Sequence, residues 1–353
     1  MSRAIRGLAL LAVVGLVAAA CGGSTGGSGG SKCPSGKSCV GMVYDLAGRG
    51  DHSFNDSAYT GLQKAGQDFS QITVKDLTPV ASGANRQALM RLLAQQGYGL
   101  IFGNGFAFAD DLAKVAKDFP DIKFACTDCG IPNLTESSNI VNNDFAANEG
   151  SFLVGAAAAM KSKTGKVGFI GGVDTTLIHQ FQAGYEAGAK YVKPGITVDI
   201  KYLTTPPDFS GFSDPAKGKE AALGLFQGGD DVVYHAAGGS GGGLFAAAKE
   251  YSAANNTHVW AIGVDSDQYQ TAPADQQPFI LTSMIKRVDV SVYDTIKAFL
   301  SNSFKGGTAL FGLKDGAIDY STTGGFVDDI KSKLDDLKQK IISGEIKVPL
   351  PTS

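Results

Sequence analysis

Excess positive charge, clustered histidine and long apolar runs are what this chain lacks. Its 31 lysines and arginines against 34 aspartates and glutamates leave a net charge of −3. No basic field exists to attract a nucleic-acid backbone, so nucleic acid is excluded as a partner. The 4 histidines, His52, His179, His235 and His258, are scattered. None forms an HExxH pair or a close acid–histidine cluster, so metal catalysis has no ligand set and no cofactor is expected. No Walker A sequence occurs. Beyond Ala20 no apolar run approaches the roughly 20 residues that a membrane-spanning helix needs. Hydrophobic residues still make up 43% of the chain, as in a folded globular protein.

What is present begins at the N-terminus. Arg3 and Arg6 precede an apolar run from Gly7 to Ala20, which ends Leu16-Val17-Ala18-Ala19-Ala20-Cys21. A basic start, a short apolar core and small residues before a cut describe a secretory signal. The cysteine straight after them resembles a bacterial lipoprotein signal, although Ala18 stands where leucine is more usual. The resemblance implies a signal peptide over 1–20 and lipid on Cys21. A Gly/Ser-rich flexible tether over 21–37 follows. The mature chain would then sit at the extracytoplasmic face of the cell membrane. Its roughly 330 residues suit two domains of roughly 150 each.

The other four cysteines fall as Cys33/Cys39 and Cys126/Cys129. Outside the cytoplasm disulfides are permitted. Closeness in sequence favours local bridges, although four cysteines allow three connectivities. Free thiols, a metal site and a redox motif are the alternatives. Cys126-Thr127-Asp128-Cys129 has CxxC spacing, but no redox-domain pattern surrounds it.

From Ser38 onward, short apolar runs alternate with longer amphipathic ones. The pattern predicts strands over 39–44, 72–74, 99–102 and 122–125, with helices over 54–69, 85–96 and 106–119. After a helix over 148–160 it repeats. Strands over 166–170, 196–202, 231–234 and 259–262 alternate with helices over 176–191, 214–226 and 243–252. A strand over 279–285, a helix over 288–300 and a charged helix over 328–340 complete the chain. Such alternation implies α/β architecture, with parallel sheets covered by helices on both faces. Two doubly wound lobes place a ligand at the carboxyl ends of their strands, in the cleft between them.

Two stretches carry candidate chemistry. In the segment from Val43 to Asp56, Asp45 ends a strand, a glycine loop follows, and Ser53 is expected to cap the helix that Phe54 and Asn55 begin. A carboxylate there accepts from ligand N–H groups, and an aromatic ring stacks on a flat one. In the segment from Tyr234 to Gly243, Gly238-x-Ser240-x-Gly242 matches the nucleophile elbow of hydrolases. That fold needs an acid and then a histidine after the serine. Only Glu250 lies between Ser240 and His258, in mid-helix. Gly241-x-Gly243-x-x-Ala246, with Asp265 further on, matches a dinucleotide fingerprint, but it falls late in its sheet. The remaining reading is that these glycines let a ligand approach backbone N–H groups at a helix start. Asp265 and Lys286 each end a later strand. A carboxylate accepts two hydroxyl hydrogen bonds, which suits a ribose diol, and a lysine donates to its oxygens.

Asp45 with Ser53-Phe54-Asn55, Gly168-Phe169-Ile170-Gly171-Gly172 and Phe181-x-x-Gly184-Tyr185-x-x-Gly188-Ala189 occur in that order. His235-Ala236-Ala237-Gly238-Gly239, the run from Trp260 to Gln268 and the run from Leu281 to Arg287 follow. On these landmarks the chain resembles the basic membrane protein family of substrate-binding lipoproteins, whose purine nucleoside receptor members serve ABC transporters. The resemblance covers Val40 to about Ser321. It implies a type I periplasmic-binding-protein fold with two hinged lobes, one of residues 38–141 plus 281–312 and one of residues 142–280 plus 313–353. It implies a purine held between Phe54 and Tyr234, with Phe181 as a second candidate wall. Asp45 and Asp128 would bond the base edge with Asn55 nearby, and Gly238, Asp265 and Lys286 would hold the ribose. Tyr234 stands where phenylalanine is more usual, and cysteines flank Asp128. The implied partners are a nucleoside, the permease and ATPase subunits of an importer, and the membrane through lipid. A monomer without catalytic activity is expected. A pentose receptor, a surface adhesin or sensor on the same scaffold, and an extracellular nucleoside-processing enzyme are the rival readings.

Overall fold

The computed structural model describes residues 32–80 and 82–351. The signal segment 1–20, Cys21 and residues 21–31 of the tether lie outside the described residues. In chain order the strands are β1 (Ser38–Val43), β2 (Ile72–Leu77), β3 (Leu100–Asn104), β4 (Lys123–Thr127), β5 (Ile140–Phe145) and β6 (Lys166–Val173). They continue as β7 (Thr197–Thr204), β8 (Val232–Ala236), β9 (Trp260–Asp265), β10 (Ile280–Lys286), β11 (Gly307–Phe311) and β12 (Ile318–Tyr320). Two six-stranded sheets result, ordered β2-β1-β3-β4-β5-β11 and β7-β6-β8-β9-β10-β12. Every pairing is parallel except β10 with β12. Helices cover both faces of each sheet, so central strands such as β3 and β8 are buried along their whole length.

The two sheets have the same order, and each takes its outermost strand from the far end of the chain. Among the described residues the chain therefore crosses between lobes three times, after Phe145, at Arg287, and between Phe311 and Ile318. This differs from the expected lobe boundaries. The strand expected to open the return to the first lobe, β10, pairs with β9 in the second sheet. The helix Val288–Leu300 after it packs on the helix Phe54–Asp68 of the first lobe. There Gly61 lies against the Asp289 carbonyl, where no Cβ would fit. The first crossing comes later than residue 141 because Ile140–Phe145 is a strand of the first sheet, one absent from the sequence reading. Its Asn142, Asn143 and Asp144 interrupt the apolar pattern but find partners inside the fold, Asn143 Nδ2 donating to Thr295 Oγ1 at 3.1 Å.

The helix Ala147–Lys161 is apolar on every side because it is covered on every side, by the helix Thr176–Val192, by β10 and by the tail helix Lys331–Ile342. It approaches Thr176–Val192 so closely that Gly155, Gly184 and Gly188 each face a carbonyl of the other helix. A methyl at any of the three would overlap backbone. The landmark spacing Gly184-Tyr185-x-x-Gly188 is thus a helix-packing device.

The flexible tether expected through Lys37 ends sooner. Cys33 N donates to Gln96 O at 2.8 Å, and Cys33 is bridged to Cys39 at the start of the first sheet. Cys126 is bridged to Cys129. Among the described residues no helix is long and apolar enough to cross a membrane, and no group of three His, Cys, Asp or Glu side chains is placed to hold a metal ion.

Candidate ligand-binding cleft

The carboxyl ends of β1, β4, β8, β9 and β10 converge between the lobes, as doubly wound sheets require. They enclose about 540 Å³, part of it open to solvent. Asp45, Phe54, Asp128, Phe181, Gly238, Asp265 and Lys286 all line this space. The first three come from one lobe and the rest from the other.

Asp45 follows β1. Its Oδ1 accepts from Ala47 N at 3.0 Å and Asn55 Nδ2 at 2.7 Å. Asn55 is fully buried behind it and does not line the cleft. It also bonds Asp51 Oδ2, Asn104 Nδ2 and the Asp45 backbone N–H, so it orients Asp45 from behind. Ser53 stands at the helix N-cap position, but its hydroxyl does not cap the helix. The carboxylate of Asp51 does so. It accepts from the backbone N–H groups of Ser53, Asn55 and Asp56 at 2.9–3.1 Å. Four donors at a helix N-terminus suit an anion. Burial nevertheless pushes the Asp51 pKa up to about 7.

On the second lobe Asp265 ends β9 with φ of 64°. Its Oδ2 accepts from Ser53 Oγ of the first lobe at 2.6 Å. Burial pushes its carboxyl up, against the pull of Lys286 and the Ser53 hydroxyl. Lys286 ends β10 and forms an ion pair with Asp128 across the cleft, both side chains 3% exposed or less. Burial raises the Asp128 carboxyl and the Lys286 ammonium opposes it. The same ammonium faces the rings of Phe54, Phe145 and Phe181 at 4.8, 5.1 and 5.7 Å from their centroids. Four carboxylates, Asp45, Asp51, Asp128 and Asp265, therefore meet one lysine among aromatic walls. Such a space favours a flat ligand rich in N–H and O–H donors and disfavours anions.

Tyr234 requires a correction. It is fully buried beneath the cleft floor and does not line the space. Its ring packs on Phe169 and Tyr185 at 5.6 and 5.2 Å between centroids, and its hydroxyl pairs with Ser151 Oγ at 3.2 Å. Tyr234 lies two residues before the end of β8, so Ala236, not Tyr234, reaches the cleft. The second lobe supplies Phe181 and Phe212 as aromatic walls instead. Phe212, together with Phe209, meets Phe106 of the first lobe edge-on across the mouth, at 6.2 and 5.7 Å between centroids. Sequence reasoning missed Asp51, Phe106 and Phe212. An Asp two residues before Ser53 was a visible capping signal, whereas Phe212 sits in the short turn Ser210–Phe212, outside any periodic pattern.

The glycine-rich turn after β8 also resolves. Ser240 is fully buried, its Oγ donating to Gly211 O at 2.7 Å and accepting from Asp214 N at 2.8 Å. That hydroxyl is committed to the fold and is no exposed nucleophile. Gly241 lies over the His235 ring, and Gly243 lies against Pro215 O of the neighbouring helix. Of this turn, Gly238 borders the ligand space.

The model of the family described as ABC transporter substrate-binding protein PnrA-like matches residues 38–351. The chain belongs to this family. A CD4+ T-cell-stimulating antigen of Listeria monocytogenes is 36% identical over 354 residues, covering 97% of each chain. The ABC transporter nucleoside-binding protein BmpA of Lactococcus lactis is 36% identical over 327 residues, covering 87% of this chain and 88% of its own. Among solved structures, an ABC transporter solute-binding protein from Aeropyrum pernix K1 superposes with a TM-score of 0.77 at 30% identity, covering 90% of this chain and 94% of its own. As a PnrA-like protein the chain has the periplasmic-binding-protein fold and a solute-binding role in ABC transport.

Proposed function

We propose that this PnrA-like protein captures nucleosides, purine nucleosides foremost, in the interlobe cleft and delivers them to the permease and ATPase subunits of an importer. One observation carries the reading. Phe54 and Phe181, from opposite lobes, flank the same space as Asp265 and Lys286. Two aromatic walls hold any planar base. Asp45 and Asp128 accept from its edge, while Asp265, Lys286 and the Gly238 backbone take the ribose. A buried carboxylate left unpaired is costly, so these groups select ligands that donate to them. The named nucleoside binder of Lactococcus lactis supports the same assignment. Residues of both lobes meet on one ligand, so binding favours closure about the three crossings. Lipid on Cys21 holds the protein at the extracytoplasmic face of the cell membrane, and it acts as a monomer without catalysis.

A thermal-shift screen tests the proposal, together with mass spectrometry of small molecules released from the purified protein by denaturation. Purine nucleosides are expected to raise the melting temperature and to appear among the released molecules. Absence of any nucleoside response overturns the proposal. Ribose competing as well as guanosine would replace it with a pentose receptor.

A further inference from the structure

The cleft's ion pair has an unusual support. β4 ends at Thr127, and Asp128 follows in the left-handed backbone region with φ of 60°. Aspartate tolerates that region without preferring it. Here the conformation is enclosed, because Cys126 and Cys129 are bridged around Thr127 and Asp128. The ring is pinned to β5 on its other side, Asp128 N donating to Asn143 O at 2.9 Å and Cys129 N to Asn142 Oδ1 at 3.2 Å. The carboxylate so presented meets Lys286, which belongs to the opposite sheet. Around that ammonium stand the uncharged rings of Phe54, Phe145 and Phe181, and the carboxylates of Asp265 and Asp144 feel its charge, but Asp128 is the one paired with it. Cys129 borders a second hollow, open to solvent, together with Asp144 and Thr175, which gives a solvent-side route to the bridge. The other bridge, Cys33–Cys39, ties the start of the first sheet to the Gln96 turn and touches no cleft residue.

We propose that the Cys126–Cys129 bridge is a positioning device that holds the Asp128 carboxylate on Lys286, so that solute affinity depends on this bridge being oxidised. The affinity part rests on the nucleoside reading above. Cys126 and Cys129 act through Asp128 and touch no ligand themselves. On reduction by dithiothreitol, two electrons and two protons pass to the bridge. The Cys126–Cys129 S–S bond breaks, two thiols form, and the reagent closes to its own cyclic disulfide. The freed Asp128 then leaves the left-handed region, and Lys286 loses its direct ion pair, keeping only the more distant pull of carboxylates such as Asp265.

The experiment is a cycle of four species: wild type and Asp128→Asn, each oxidised and reduced, with alkylation and mass spectrometry reporting which bridge has opened. Guanosine affinity is read by calorimetry. Reduction is expected to raise the wild-type Kd about tenfold and that of Asp128→Asn less than about twofold. An equal response in both proteins, large or absent, overturns the proposal, because a merely structural bridge acts regardless of residue 128. In Cys33→Ala/Cys39→Ala the sensitivity to dithiothreitol is expected to persist, and its loss there would also overturn the proposal. If the oxidised wild type binds no nucleoside, the nucleoside reading fails by itself. The ligand-free melting temperatures of the same four species then decide. Non-additive effects of reduction and Asp128→Asn support the positioning role, and additive ones overturn it.

Discussion

The hydroxyl of Ser53 in the first lobe donates a 2.6 Å hydrogen bond to Asp265 Oδ2 in the second. Two further bonds run beside it, from Ser266 Oγ to Ser53 O and from Gln268 Nε2 to His52 O, both at 3.3 Å. All three exist only while the lobes are together. Ser53 is free to reach across because Asp51 has taken over the helix cap.

Ser53→Ala is therefore expected to shift the population towards open forms without unfolding the helix. A hydrogen bond to a charged group contributes about 1.5–3 kcal/mol. A bound ligand compensates part of that loss, so the nucleoside Kd should rise about fivefold to tenfold. Small-angle scattering of the ligand-free variant should show a larger radius of gyration than wild type. Identical scattering and unchanged affinity would show that this contact does not hold the lobes closed.

Tyr234 and Phe181 separate core from cleft. Tyr234→Phe keeps the ring between Phe169 and Tyr185 and removes only the bond to Ser151. It should cost about 1 kcal/mol of stability in chemical denaturation and leave nucleoside affinity within about twofold. Phe181→Ala should weaken binding by about tenfold or more. A large affinity loss in Tyr234→Phe with unchanged stability would return Tyr234 to the ligand.

Asp230 gives a pH-dependent test remote from the cleft. It is 2% exposed, and among the described residues neither carboxylate oxygen has a hydrogen-bond partner. Burial, with Asp199 and Asp231 adding repulsion and Lys166 opposing it, pushes its pKa up to about 7. A raised native pKa means that the folded state holds the proton more tightly than the unfolded state. This contribution to stability is present at low pH and is lost as pH rises from about 4 to about 7. Asp230→Asn cannot ionise. Its advantage over wild type should be small near pH 4, grow up to pH 7 and reach about 1 kcal/mol or more at pH 8. Urea denaturation across that range checks it, and a difference independent of pH would contradict it.

The alternation of apolar runs was enough to place Asp45, Asp265 and Lys286 at the carboxyl ends of strands, and in a doubly wound sheet that places them at the interlobe cleft they line. Two features were hidden for physical reasons. The strand Ile280–Lys286 has the same buried pattern whichever sheet it joins, so the crossing at Arg287 leaves no mark in the sequence. Tyr234 was assigned by resemblance as an aromatic near a strand end, but two residues of strand move a side chain by some 6–7 Å. That distance separates the cleft wall from the layer beneath it. Phe106 and Phe212 lie in short turns after β3 and β7, where no periodicity marks a side chain as facing the cleft.

Calorimetric titration of guanosine into wild type, Phe54→Ala and Asp265→Ala addresses the cleft most directly. Wild type should show saturable one-to-one binding, and each variant should bind at least about tenfold more weakly, a loss of about 1.4 kcal/mol or more. Unchanged affinity in both variants would show that the nucleoside, if it binds, is held somewhere other than between these two lobes.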